Sequence, residues 1–246
     1  MGISKVDILA IGVHPDDVEL SCSGTLLKHM DLGKKVGLLD LTLGELGTRG
    51  TAVIRAAEAK EATRRMGVDW RRNLDIGDGF FTYSKENLKK IIAIIREAQP
   101  SIVLCNALND RHPDHGRAAK LEADACFYSG LAKIETVDES GAPQDRWRPD
   151  AVYHYIQDHN LVPDFVVDIS GYIEKKMEVV AAFKSQFNAE STPEFAQELD
   201  SPISGRDFMD FLVAKARSYG RSAGFEFAEA FNAARTVGVK NLFDLA

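Results

Sequence analysis

Along this chain, short apolar runs alternate with longer segments whose apolar residues recur at helical spacing. Residues 6–13 form one such run and residues 36–43 another, broken only by Asp40 and Thr42. Both read as strands covered on two faces. Further strands are predicted near residues 74–76 and over 101–106, 151–156 and 165–169. The intervening helices are predicted over 17–32, where Val18, Leu26, Leu27 and Met30 share a face ahead of Gly33, and over 52–66. A third covers 85–98, with Leu88, Ile91, Ile92 and Ile95 inward, followed by helices from about 117 to 131, over 171–184 and over 206–219. Residues 136–149 read as an exposed connection, 188–205 as a mobile loop able to border a site, and 225–246 as an irregular tail.

Strands alternating with helices of this length imply right-handed crossovers and a mainly parallel sheet. The expected fold is therefore α/β and Rossmann-like, with helices on both faces and a C-terminal helical and irregular extension, all in one domain over residues 1–246. With strand order 3-2-1-4, the chain reverses direction between strands 1 and 4. Ligands in such sheets bind at the carboxyl ends of the two strands flanking that reversal.

Both strand ends carry chemistry. After the first comes Gly12-Val13-His14-Pro15-Asp16-Asp17, and after the fourth Asn109-Asp110-Arg111-His112-Pro113-Asp114-His115. Each motif alone could be a turn with a helix cap. Together they offer a His-Asp-His set, His14, Asp17 and His115, suited to a divalent ion with an exchangeable water. Neighbouring Asp16 and Asp17 cannot easily point the same way, so Asp16 is free to act as a base on water, whose pKa a metal lowers from about 15.7 to about 7. His112 would sit across the site, and a carboxylate such as Asp114 would keep it protonated to stabilise an oxyanion and protonate a leaving amine. Those parts make a metal-assisted amide hydrolase.

Arg55 and Arg111 are candidates for gripping an anionic substrate group; the other reading of Arg55 is a surface charge paired with Glu58 or Glu61. Glu45, in the glycine-rich loop at 44–51, is a further candidate substrate contact, as is His154, which could equally be a satisfied buried histidine.

Composition narrows the partners. Thirty Lys and Arg against 37 Asp and Glu give a net charge of −7, which argues against a nucleic-acid footprint. No apolar run is long enough to cross a membrane, and the N-terminus lacks a secretion pattern, so a cytoplasmic location is the expectation. Three widely spaced cysteines, Cys22, Cys105 and Cys126, argue against a disulfide framework. No Gly-x-Gly-x-x-Gly follows the first strand, which speaks against a dinucleotide-binding module. A non-catalytic metal- or nucleotide-binding module of the same fold is the rival from another class.

With both motifs in view, the sequence resembles the zinc-dependent N-acetylglucosamine deacetylases of the PIG-L/LmbE superfamily. Gly44-Glu45-Leu46-Gly47-Thr48-Arg49-Gly50 with Arg55 and Glu58, and the tail at 238–244, make it most similar to the bacillithiol-biosynthesis branch. The resemblance implies hydrolysis of N-acetylglucosaminyl-malate to glucosaminyl-malate and acetate by an enzyme that is often hexameric. It also implies zinc on His14, Asp17 and His115, Asp16 as base, His112 stabilising the transition state with help from Asp114, and Arg55 contacting substrate. Iron, cobalt or manganese also suit such ligands. One departure is that residues 188–205 lack the tyrosine that relatives place near the oxyanion, and Phe195 cannot donate a hydrogen bond. Another N-acetyl sugar or small N-acyl amine is the alternative substrate.

Overall fold

A computed structural model describes residues 3–187, 193–195 and 197–245 of the chain. Its centre is one seven-stranded sheet in the order β3-β2-β1-β4-β5-β7-β6. The strands are β1 (Ile8–Gly12), β2 (Val36–Asp40), β3 (Trp70–Asn73), β4 (Ile102–Cys105), β5 (Ala151–Tyr155), β6 (Phe165–Asp168) and β7 (Ala228–Ala233). β1 to β5 run parallel, and β7 is antiparallel to both β5 and β6. The predicted 3-2-1-4 order is present, with β1 and β4 adjacent and the chain reversing direction between them.

The helices are α1 (Asp17–Asp31), α2 (Ala52–Met66), α3 (Lys85–Ala98), α4 (Pro113–Ser129), α5 (Ile173–Val180) and α6 (Arg206–Ala223). Two apolar clusters sandwich the sheet. On one face, side chains of α1, α2, α5 and α6 meet Ile8, Leu38 and Phe231; on the other, α3 and α4 meet Leu9, Leu39 and Val103. Strand alternation sends successive residues to opposite faces, so neighbours Ile8 and Leu9 serve different clusters. Cys22, Cys105 and Cys126 are buried free thiols, and no helix among the described residues is long and apolar enough to cross a membrane.

Several elements differ from the sequence pattern; α5 ends four residues short of its expected end and α6 runs four residues past its own. The short strand expected at 74–76 lies at Trp70–Asn73, where Arg71 and Arg72 masked it. Arg71 is tolerated because its guanidinium is neutralised by Asp40 and Glu19 and the Trp70 ring covers Gly37, where a Cβ would meet it at 2.4 Å. α4 begins at Pro113, about four residues ahead of the expected start, with proline at the first helical turn, where a missing N–H costs nothing. Within the expected irregular tail lies β7, whose alanines and Glu229 give little strand signal. Its pairing with two neighbours supplies what propensity does not. Of the loop expected at 188–205, residues 188–192 and 196 fall outside the described residues.

Candidate active site

The two motifs converge at the reversal point. Gly12 ends β1 where an added Cβ would meet Asp17 Cβ at 3.0 Å and the His14 carbonyl oxygen at 3.1 Å, so the chain can double back tightly before α1. Asp16 then takes φ 134°, a left-handed conformation that costs a non-glycine residue. It occupies the N-cap position of α1 without capping it. Its carboxylate instead accepts from the Arg55 guanidinium of α2, and both side chains are buried. The turn therefore does more than cap a helix.

Asp17 faces the other way. Its carboxylate accepts from the His14 amide (2.9 Å), Asn106 Nδ2 (2.9 Å) and Gln157 Nε2 (3.0 Å). It also lies 3.2 Å from His115 Nε2 and 3.8 Å from His14 Nδ1. Burial favours the neutral acid, but the facing His115 and His14 hold this carboxyl far below the usual range. Asp16 goes the opposite way: burial raises it to about 6 despite Arg55, with the Asp17 charge adding to the shift. Adjacent carboxyls are thus set apart by environment.

The second motif supplies the facing wall. His112 is the N-cap of α4, its Nδ1 accepting from the Asp114 amide (3.2 Å), and His115 lies in the first helical turn. The ring centroids of His14, His112 and His115 lie 4.7 to 5.6 Å apart. His115 Nδ1 is 2.5 Å from Asp110 Oδ2, which turns Nε2 toward Asp17. His14 Nε2 is 2.9 Å from Asp78, so Nδ1 faces Asp17. Burial opposes charge on both imidazoles, yet the carboxylates outweigh it: Asp114, Asp78 and Asp17 raise His14 to about 10, and Asp17 and Asp110 raise His115 to about 9.

Two overlapping donor sets fit a divalent cation; both contain His14, one brings in His112 beside His115, and neither contains Asp17. Ligating atoms of His14, His112 and His115 come within 4.8 Å of one another, as do those of His14, Asp78 and Asp114. Carboxylates behind His14 and His115 fix the ring orientations as they do in histidine metal sites.

His112 departs from expectation. Burial and the positive charge on His14 and His115 lower its pKa, and Asp114 turns to Gly79 N (2.9 Å) and His14 (3.6 Å) rather than holding His112 as an imidazolium. With Nδ1 accepting, the neutral ring carries its proton on Nε2. Glu45 is exposed, does not line the cavity, and accepts from the Asp78 amide (2.8 Å). His154 is also away from the cavity, buried and bonded to the Asn106 carbonyl (2.8 Å), the structural role allowed for it. Arg111 lies at the cavity wall paired with Asp158 (2.6 Å). The surface pairing considered for Arg55 does not form: Glu58 binds Ser185 and Glu61 pairs with Arg64 and Arg65.

Sequence reasoning missed Asp78, Asn106, Asp110 and Gln157. Asn106 links Val13 N (2.8 Å) to Asp17 and Gln157. Their available signal was position, since Asn106 immediately follows β4 and Gln157 lies two residues beyond β5, both at the carboxyl side of the sheet.

His14, Asp16, Asp17, His112 and His115 line a cavity of about 310 Å³. The PIG-L family profile, described as GlcNAc-PI de-N-acetylase, matches residues 9–126, which hold both motifs. The diacetylchitobiose deacetylase of Thermococcus kodakarensis is 33% identical over 232 residues, covering 90% of this chain and 80% of that protein. The chain belongs to the PIG-L family. A second PIG-L relative, a probable N-acetyl-alpha-D-glucosaminyl L-malate deacetylase 2 of Bacillus anthracis, is 27% identical over 199 residues, 75% of this chain and 83% of that one. Among solved structures, a conserved protein of Thermus thermophilus superposes with TM-score 0.81 at 32% identity, covering 96% of this chain and 98% of that one.

Proposed function

We propose that this PIG-L protein hydrolyses the N-acetyl group of an N-acetylglucosamine conjugate, releasing acetate and an amino sugar. The observation that carries this reading is the placement of Asp17 between His14 and His115, with Asp16 and His112 opening onto the same cavity. His14, Asp17 and His115 would hold the metal, zinc being the family expectation. Such an ion, when bound, supplies Lewis acidity toward an amide carbonyl and lowers the pKa of water.

The chain's own groups supply the rest. Asp16 accepts a proton from the attacking water and returns it to the departing amine nitrogen as the C–N bond breaks; its raised pKa suits both transfers near neutrality. Arg55 holds that carboxylate in place and limits how far burial raises its pKa. His112, neutral and protonated on Nε2, donates a hydrogen bond to the developing oxyanion. Asp110, Asp78, Asn106 and Gln157 fix the ligand rings and the Asp17 carboxylate.

The conjugate's second half has two readings. The loop and tail motifs favour malate, and the Bacillus relative's name agrees with them; the Thermococcus relative's name favours a second amino sugar. Acetate release from N-acetylglucosamine, N,N'-diacetylchitobiose and N-acetylglucosaminyl-malate tests the proposal. Asp16→Ala should keep its metal while activity falls by about 10²–10⁴-fold; undiminished turnover would sink the mechanism.

A further inference from the structure

A second cavity, of about 550 Å³, opens between α3, α4 and the segment 133–135 that follows α4, and it shares no lining residue with the catalytic one. On α3 it is built from Lys85, Leu88, Lys89 and Ile92, whose i, i+3, i+4, i+7 spacing puts them on one helical stripe. Leu88 and Ile92 are buried in the core that α3 and α4 share, and half-buried Ile134 completes an apolar floor. Tyr83 and Tyr128 add aromatic walls. The Tyr83 hydroxyl donates to Asp124 (2.5 Å), which holds a ring that is still 49% exposed. Nothing in the proposed deacetylation uses this cavity.

Three cations ring this floor. Neighbouring Lys90 and Lys120 are paired with Glu86 and Asp124, whereas Lys85, Lys89 and Lys133 have no hydrogen-bond or ion-pair partner among the described residues. Glu135 is the one carboxylate among the described lining residues and offsets one of the three charges. In a chain whose net charge is −7, this is a local positive site over an apolar floor. The two features ask for one ligand, with an apolar body to displace water from Leu88, Ile92 and Ile134 and an oxyanion to meet the ammonium groups. The tyrosine rings favour a planar aromatic body, which packs on their faces or edges. Size points to a small molecule rather than a folded partner. Nine residues line the cavity, against about 20–30 a side in a stable protein interface, while its volume lies within the roughly 300–1,000 Å³ of small-molecule sites.

We propose that this cavity binds a small aromatic organic anion, with Lys85, Lys89 and Lys133 as its charge contacts, independently of the deacetylase reading. The probe is 8-anilinonaphthalene-1-sulfonate, followed on the full chain by its fluorescence and by calorimetry. It should bind saturably and several-fold more tightly than N-phenyl-1-naphthylamine, which has the same rings without the sulfonate. Lys85→Gln, Lys89→Gln and Lys133→Gln should each weaken it about two- to fivefold, as exposed ion pairs do, and the triple variant by about tenfold or more. Since none of the three lysines is bonded within the described chain, these variants should melt as the parent does. Exchanging the exposed Lys5, Lys35 and Lys240 for Gln lowers the net charge equally and should leave the affinity within about twofold, because remote surface charges are screened. Either 1-naphthoate or 1-naphthyl phosphate should displace the probe where uncharged 1-naphthalenemethanol does not. Equal binding of the neutral analogue, displacement by neither anion, or an affinity unchanged in the triple lysine variant overturns the proposal. So does light scattering that shows the parent as an oligomer and the triple variant as a monomer, since the cavity is then an interface between copies of this chain.

Discussion

Asp16 and Asp17 are covalent neighbours with opposite protonation tendencies, and the difference comes entirely from their partners. Asp17 faces imidazoles and three N–H donors; Asp16 is buried against a single guanidinium and a like charge. Holding them apart requires the φ of 134° at Asp16, backbone strain sited where the chemistry is. The same reasoning applies to His115. Its Nδ1 is bound by Asp110, so Asp110→Asn should preserve the fold yet weaken divalent-metal affinity about 10- to 100-fold, measured by competition with a chromogenic chelator. Affinity equal to wild type would remove Asp110 from the site. This role was hidden in the sequence because Asp110 stands among other polar loop residues, and only the folded turn shows which of them faces the ring.

Elements were legible wherever periodicity was strong. α2 and α3 occupy the expected residues because their apolar positions and their Thr51 and Ser84 caps agree. β3 was displaced because an edge strand carrying arginines looks polar, and its acceptance depends on acids from β2 and α1. Arg71 contacts Asp40 through two nitrogens and Glu19 through a third, all nearly buried. Arg71→Ala leaves two buried carboxyls without their cation and should cost about 3–5 kcal/mol in urea unfolding. α6 is fastened to the turn after β5 by Lys215, whose pKa burial lowers to about 8 despite Asp158 and Asp110. The unfolded chain, with lysine near 10.4, binds more protons between those two values, so this residue makes stability rise with pH across about 8 to 10.4, by ~3 kcal/mol at most. Lys215→Met should remove that part of the slope when unfolding midpoints are compared at pH 7.5 and 10.

Across the whole molecule, β1 and β4 lie side by side and bring together two motifs about one hundred residues apart. A metal held there draws ligands from both halves of the site, so its removal should loosen the native state as well as stop hydrolysis. Stripping with a chelator should abolish acetate release and lower Tm, and a bound ion at one hundred times its Kd restores about 2.7 kcal/mol. Activity that survives exhaustive chelation would contradict the metal-dependent reading. The sequence by itself determined the α/β alternation, the place of the chain reversal, and the two histidine and aspartate motifs at its edges, because these follow from local periodicity and from residues adjacent in the chain. Only the tertiary structure decided that Arg55 reaches Asp16, that Asp78 and Asp110 orient the imidazoles, that Asn106 and Gln157 hold Asp17, and that β7 closes the cavity floor. Those contacts span from 5 to more than 100 residues of chain, and they depend on where loops return after the sheet has formed, which no local pattern encodes.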